Sequence, residues 1–413
     1  MRRLLSCLFL CLLPLLAQSA EAPPPKIGLV LSGGAARGLA HIGVLKALEE
    51  QGIRIDAIAG TSMGAVIGGL YASGYKIDEL EKLALNIDWR QALSDAPPRE
   101  DVPFRRKQDD RDFLVKQKLS FRDDGSLGLP LGVIQGQNLA LLLESKLAHA
   151  SDTRDFDKLP IPFRAVATDI ASGEKVVFRK GHLPQVIRAS MSIPAVFAPV
   201  ELDGRLLVDG GMTDNIPLDV ARDMGVDIAI VVDIGTPLRS RKQLNTVVDV
   251  LNQSITLMTR RNSEVQLAAL HKDDVLIQPA LSSFGVTDFG RAQEMIDAGY
   301  RATRILDARL ARLRPAHALD AELTAARQPS QRTPIISAIK VENDSKVSDE
   351  VIRYYIRQRI GEPLDLGRLE TDMGTLYGLD FFEQVQYRVA HKGQDNTLVT
   401  VSYTHLTLPT ILL

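Results

Sequence analysis

Cysteine is nearly absent: the chain of 413 residues has two, Cys7 and Cys11. Both fall in an N-terminal stretch with the pattern of a secretory leader. Arg2 and Arg3 make a basic start, Leu4 to Leu16 an apolar run, and Ala17-Gln18-Ser19 a small-x-small cleavage site. A signal peptide is therefore expected over residues 1–19, with export of the mature chain. The apolar run is short for a membrane span. The mature chain has no thiol and no disulfide, so its stability must come from a packed core. Charge of one sign is also missing: 49 Lys+Arg against 51 Asp+Glu leave a net charge of −2, and aromatics are only 5%. Neither an electrostatic nor a stacking case exists for nucleic acid as a partner. There is no H-E-x-x-H and no Cys/His cluster, so no metal and no cofactor are expected.

What is present is a parallel α/β pattern. Lys26 to Leu31 is a continuous apolar run, as in a strand buried on both faces. A Gly-rich turn comes next, then Leu39, Ile42, Val44, Leu45 and Leu48 at near-helical spacing up to Gly52. Ile53 to Ala59 reads as a second strand and Ala65 to Tyr75 as a second helix, giving βαβα and a parallel sheet. Further on, helices are expected at Asp78 to Leu85, Gln137 to Ala148, Pro184 to Ser190, Ile216 to Met224, Val247 to Leu270 and Arg291 to Leu313. Strands are expected at Phe163 to Thr168, Lys175 to Phe178, Leu206 to Val208, Ile228 to Val232 and Val275 to Ile277. Asp95 to Asp112 reads as an exposed loop, and Lys116 to Phe121 with Leu127 to Leu131 as a short hairpin. Residues 315–333 are polar, alanine-rich linker. Residues 334–403 then give a small βααββ unit, and the uncharged stretch 404–413 is assigned to neither.

The chemistry centres on Gly60-Thr61-Ser62-Met63-Gly64, a G-x-S-x-G turn between a strand and a helix. Such a turn holds the serine strained and exposed, as a nucleophile elbow does. A serine hydroxyl needs donors for the oxyanion it creates and a base for its proton. The strand-to-helix junction Gly33-Gly34-Ala35, followed by Arg37 and Gly38, supplies outward N–H groups. It matches neither the P-loop nor the dinucleotide pattern, because no Lys follows the glycines and Ala35 replaces the second glycine. Arg37 either fixes this loop or meets a lipid phosphate. None of the seven histidines, His41, His149, His182, His271, His317, His391 and His405, sits at a strand end in a turn context. Asp209 does, and Gly210-Gly211 after it allow a close backbone approach. Asp169 and Asp233 also end strands, so the residues alone leave three candidates for the base.

This set resembles the patatin-like phospholipases. Their Gly-rich loop ending in Arg-Gly, their G-x-S-x-G and their Asp-Gly-Gly match Gly33 to Gly38, Gly60 to Gly64 and Asp209 to Gly211, in that order. Ala189-Ser190-Met191-Ser192-Ile193-Pro194 and Asn215-Ile216-Pro217 fit as well, while Ser32 and Ala35 stand where many members have Asp and Gly. The resemblance implies a three-layer α/β sandwich with a mostly parallel central sheet over residues 26–314. It also implies a Ser62–Asp209 dyad, with Gly33, Gly34 and Ala35 as the oxyanion hole and Arg37, Gly38, Gly60, Gly64, Gly210 and Gly211 in support. Residues 334–403 are similar to a POTRA domain. The layout is that of patatin-type autotransporters, which implies an outer-membrane or secreted setting, a phospholipid or membrane surface as substrate, and a β-barrel partner that this chain has no room for. The expected function is a lipid acyl hydrolase of phospholipase A type. The alternatives are an assembly module acting through the POTRA-like unit and a general esterase on small esters.

Overall fold

The structure is a computed structural model. It describes residues 24–96, 120–121, 127–128, 131–235, 237–314, 334–379, 381–382, 384–392 and 395–403. The expected leader (1–19), most of the loop from Asp95 to Asp112, the linker (315–333) and the stretch 404–413 lie outside these residues.

In chain order the strands are β1 (Ile27–Leu31), β2 (Ala57–Thr61), β3 (Ser120–Phe121), β4 (Leu127–Gly128), β5 (Phe163–Asp169), β6 (Lys175–Phe178), β7 (Val200–Leu202), β8 (Arg205–Asp209), β9 (Ile228–Val232), β10 (Val275–Ile277), β11 (Ala338–Asp344), β12 (Gln384–Lys392) and β13 (Asp395–Tyr403). The α-helices are α1 (Ala40–Glu50), α2 (Met63–Ala72), α3 (Ile77–Asn86), α4 (Trp89–Ala92), α5 (Gln137–Leu147), α6 (Leu183–Ser190), α7 (Leu218–Asp223), α8 (Val247–Ala268), α9 (Ala292–Arg304), α10 (Asp307–Leu310), α11 (Asp349–Tyr355) and α12 (Leu366–Gly378).

The main sheet runs β10-β9-β1-β2-β5-β8-β7, with β6 also on β5. Its β10-β9-β1-β2-β5 part is parallel. The apolar runs explain why. Alternate side chains of each strand go to opposite faces. Leu29, Leu31, Ile58, Ile230 and Val232 enter one core, and Val30, Ala57, Ala59, Ala229 and Val231 enter the other. Helices α1, α2, α5, α6 and α9 supply side chains to the first core, and α7 to the second. This is the parallel α/β sheet expected from the pattern, in the sandwich that the resemblance implies.

Three expectations change. The strand at Leu206 to Val208 is the second arm of a hairpin, β7–β8, turned by Asp203 and Gly204 at φ 52° and 71°. The helix at Arg291 to Leu313 is divided into α9, α10 and a 3-10 turn. A short helix, α4, falls where none was expected, its first turn capped by the Asp88 carboxylate.

The second unit has the order β11-α11-α12-β12-β13, with β13 central, parallel to β11 and antiparallel to β12. Leu369, Met373, Leu376, Tyr387 and Leu398 are in its own core. It packs on α5 of the first unit: Leu141 joins that core. The Gln137 side chain bonds both backbone groups of Val385, accepting from its N–H at 3.0 Å and donating to its carbonyl.

Candidate active site

Sheet pairing brings the serine and the aspartate together. Ala167 of β5 has Asp209 on one side and Val176 of β6 on the other. β6 also flanks Ala165 and Val166, whose remaining side is taken by β2. So β2 and β8 share one edge of β5 and run toward each other along it. They end at Thr61, opposite Val166, and at Asp209, opposite Ala167. Ser62, the residue after β2, and Asp209, 147 positions apart in the chain, are therefore brought together.

The elbow is held in a conformation that side-chain-bearing residues avoid. Ser62 has φ 56° and ψ −124°, a strain of the kind that persists only where the surroundings over-determine it. Those surroundings are visible. The Ser62 N–H donates to the Ser190 Oγ at 2.9 Å, and Ser190 donates onward to the Val166 carbonyl at 2.6 Å. The Thr61 hydroxyl donates to the Asp214 carbonyl at 2.8 Å. Glycine is needed on both sides: a Cβ on Gly60 would lie 2.5 Å from the Gly64 carbonyl oxygen, and one on Gly64 2.2 Å from that of Leu31.

Asp209 is buried. Its N–H donates to the Ser192 carbonyl at 2.9 Å, and its Oδ1 accepts the Gly211 N–H at 2.8 Å. Burial pushes the carboxyl up from the ordinary 3.8 to about 6, and hydrogen bonding from the Ser62 hydroxyl and Gly211 opposes that rise. The other two strand-end aspartates are occupied elsewhere. Asp169 caps its own turn through the Ala171 N–H. Asp233 accepts from the Gly235 N–H and the Gln278 amide. Of the three candidates left open by the sequence, Asp209 is the one beside Ser62.

The Gly-rich loop follows β1. Ser32 donates its N–H to Val232, accepts the Ile234 N–H on its hydroxyl, and accepts His41 Nε2 on its carbonyl at 2.9 Å. His41 is fully buried, and burial lowers its pKa to about 4. It is a neutral donor that pins the loop. One expectation needs correction. The Gly33 N–H is already engaged, donating to the Asn215 carbonyl at 3.3 Å. The N–H groups of Gly34 and Ala35 have no hydrogen-bond partner among the described residues, and neither does that of Met63 at the start of α2. Ala35 stands at φ 50°, the left-handed region where a glycine is usual.

Arg37 is buried. It is 1% exposed and lies near Asp233. Burial lowers its pKa to about 10, and the Asp233 carboxylate opposes that. Its Nε and Nη2 have no partner among the described residues. Gly38 packs against Met63, and Gly210 against the Val166 carbonyl.

Three residues that support the site carried little signal in the sequence. Ser190 and Asn215 lay inside motifs but had no role that spacing could assign. Lys175 carried none. Its ammonium pairs with buried Asp214 at 3.0 Å and with Asp219. Asp214 is pushed to about 7 by burial, against the pull of Lys175. The Asp214–Asn215 pair in turn accepts from both Thr61 and Gly33, so this ion pair stands behind elbow and loop together.

Ser62, Asp209, Gly34, Ala35 and Arg37 all line one cavity of about 840 Å³. Its remaining walls are largely apolar, with Ile134, Met191, Ile193, Val196, Phe197 and Phe289 among them. No histidine lines it among the described residues, and no group of three or more potential metal ligands occurs among them. The chemistry available is a serine hydroxyl, a buried carboxylate acceptor and converging amide donors, facing a space suited to an acyl chain.

Comparison with known proteins bears on the family. The patatin-like phospholipase family pattern matches residues 29–222, and the POTRA pattern (surface antigen variable number repeat) matches residues 334–404. An uncharacterized NTE family protein of Mycobacterium tuberculosis is 35% identical over 210 residues, covering 51% of this chain and 49% of that protein. Patatin-like phospholipase domain-containing protein 7 of Rattus norvegicus is 30% identical over 304 residues, 67% of this chain and 20% of that protein. The chain thus spans half or less of the length of these relatives. Among solved structures, VipD of Legionella pneumophila aligns over 70% of this chain and 67% of its own at 19% identity and a TM-score of 0.39. The chain therefore carries a patatin-like phospholipase domain followed by a POTRA domain.

Proposed function

We propose that the protein is a lipid acyl hydrolase of phospholipase A type, working through a Ser62–Asp209 dyad. The observation that carries this reading is the strained Ser62 beside buried Asp209 on the floor of a large apolar cavity. The Ser62 hydroxyl attacks the ester carbonyl carbon while the Asp209 carboxylate takes its proton. The tetrahedral oxyanion is met by the N–H groups of Gly34 and Ala35, with that of Met63 in the position usual for a nucleophile elbow. Collapse expels the alcohol, which leaves with the proton held by Asp209, and an acyl-serine remains. Asp209 then deprotonates a water, the water attacks the acyl-serine, and the fatty acid departs with Ser62 restored.

The apolar walls suit an acyl chain. The expected leader and the POTRA domain support a Gram-negative setting, exported and associated with the outer membrane or secreted, with an outer-membrane β-barrel as partner. Turnover of a fluorogenic fatty ester tests the dyad. Ser62→Ala and Asp209→Asn should each lower kcat by about a thousandfold or more with the fold intact. Most of the activity surviving in Asp209→Asn would remove the dyad.

A further inference from the structure

Helix α8 has two unlike faces. One, carrying Asn252, Ile255, Thr256, Thr259, Ser263 and Leu267, lines the cavity. The opposite face looks into solvent, where polar residues belong, yet it presents Val250, Leu251, Leu257, Met258 and Val265, each 47–66% exposed. At 3.6 residues per turn these five fall on one face about 120° wide, which exposed Ser254 and Arg261 share. Five large apolar side chains gathered on one solvent-facing helix face mark an interaction surface.

Charge says what covers it. Residues 238–268 hold Arg239, Arg241, Lys242, Arg260 and Arg261 against Asp249 and Glu264, five cations and two anions, or +3 in a chain whose total is −2. The two acids are spoken for, Asp249 by Arg239 and Glu264 by Arg260. That leaves Arg241, Lys242 and Arg261 exposed and without an ion-pair partner among the described residues. A second copy of the chain would bring the same +3 against it. A largely apolar helix face with one free cation on it, Arg261, and two more, Arg241 and Lys242, in the turn that leads into the helix fits the surface of an anionic bilayer, with apolar side chains in the acyl boundary and cations at the phosphates.

We infer that the outer face of α8 is the surface by which the protein seats itself on an anionic membrane. The cavity then lies one helix diameter, about 10–12 Å, from the lipid. This rests on the lipid-hydrolase reading for its purpose but not for its test.

The test is flotation of the full chain with vesicles of phosphatidylcholine alone or with one quarter phosphatidylglycerol, alongside turnover of a water-soluble short-chain ester. The wild-type protein should float with the anionic vesicles and less with the neutral ones. The double variant Leu257→Glu/Met258→Glu, and separately Arg241→Glu/Lys242→Glu/Arg261→Glu, should bind at least tenfold more weakly. Both should keep turnover of the soluble ester within about twofold, which shows that they are folded. Unchanged flotation of both variants overturns the inference. So does a change confined to oligomeric mass by light scattering, which makes the stripe a contact between copies. Flotation without any ester turnover leaves this surface standing and removes the hydrolase instead.

Discussion

In the proposed dyad, Asp209 would have opposing effects on activity and stability. Its carboxyl rises from the ordinary 3.8 to about 6 because it is buried. A group whose folded pKa is raised this way binds its proton more tightly in the folded state. It weakens stability as pH climbs from 4 through 6, and the cost is fully present above that. At about 1.4 kcal/mol per pH unit, the ionised form costs the fold up to roughly 3 kcal/mol at pH 8. Asp209→Asn should therefore raise Tm at pH 8 while abolishing turnover, and the gain should shrink to nothing at pH 4. Calorimetry at the two pH values checks this; a lower Tm at pH 8 contradicts it. Residue types at Ser62, Asp209 and the glycines were legible in the sequence because each sits in a local turn whose chemistry is short-range. The choice of Asp209 over Asp169 and Asp233 was not, because it depends on which two strand ends share an edge of β5. Nor was the Gly33 N–H readable as engaged, since its acceptor, Asn215, lies 182 positions away.

Among elements, α1 and α9 pack with their backbones almost touching. A Cβ on Gly43 would lie 1.8 Å from the Ile296 carbonyl oxygen, and one on Gly299 1.9 Å from that of Ala40. Backbone cannot yield as a flexible side chain does. Gly43→Ala should cost about 1–3 kcal/mol or more and lower Tm by several degrees. A Tm within a degree of the wild type would show the helices to be further apart. The parallel strands were legible because continuous apolar runs have few other homes. The βααββ order was legible from alternation and turn residues. β7 was not, since three residues carry no period. The periodicity of α8 shows a helix, but only the packed structure shows that part of its apolar surface faces outward.

For the whole molecule, the two units are joined through α5. Gln137 is fully buried and satisfies both backbone groups of Val385 on β12, as a neighbouring strand would. Gln137→Ala leaves a buried N–H and carbonyl unpaired, at about 1–3 kcal/mol. Amide exchange at Val385 should quicken by roughly tenfold to a hundredfold; unchanged exchange would mean that the two units separate readily in solution.

Everything proposed for the cavity depends on a serine activated by a buried carboxylate, and the rate of covalent labelling by a fluorophosphonate reads that directly. The adduct should map to Ser62, its formation rate should fall about tenfold per pH unit below 6, where Asp209 takes up its proton, and Asp209→Asn should label far more slowly above pH 6, with the gap narrowing as pH falls. A folded protein that gives no adduct at Ser62, or an Asp209→Asn variant that labels at the wild-type rate, would contradict that activation.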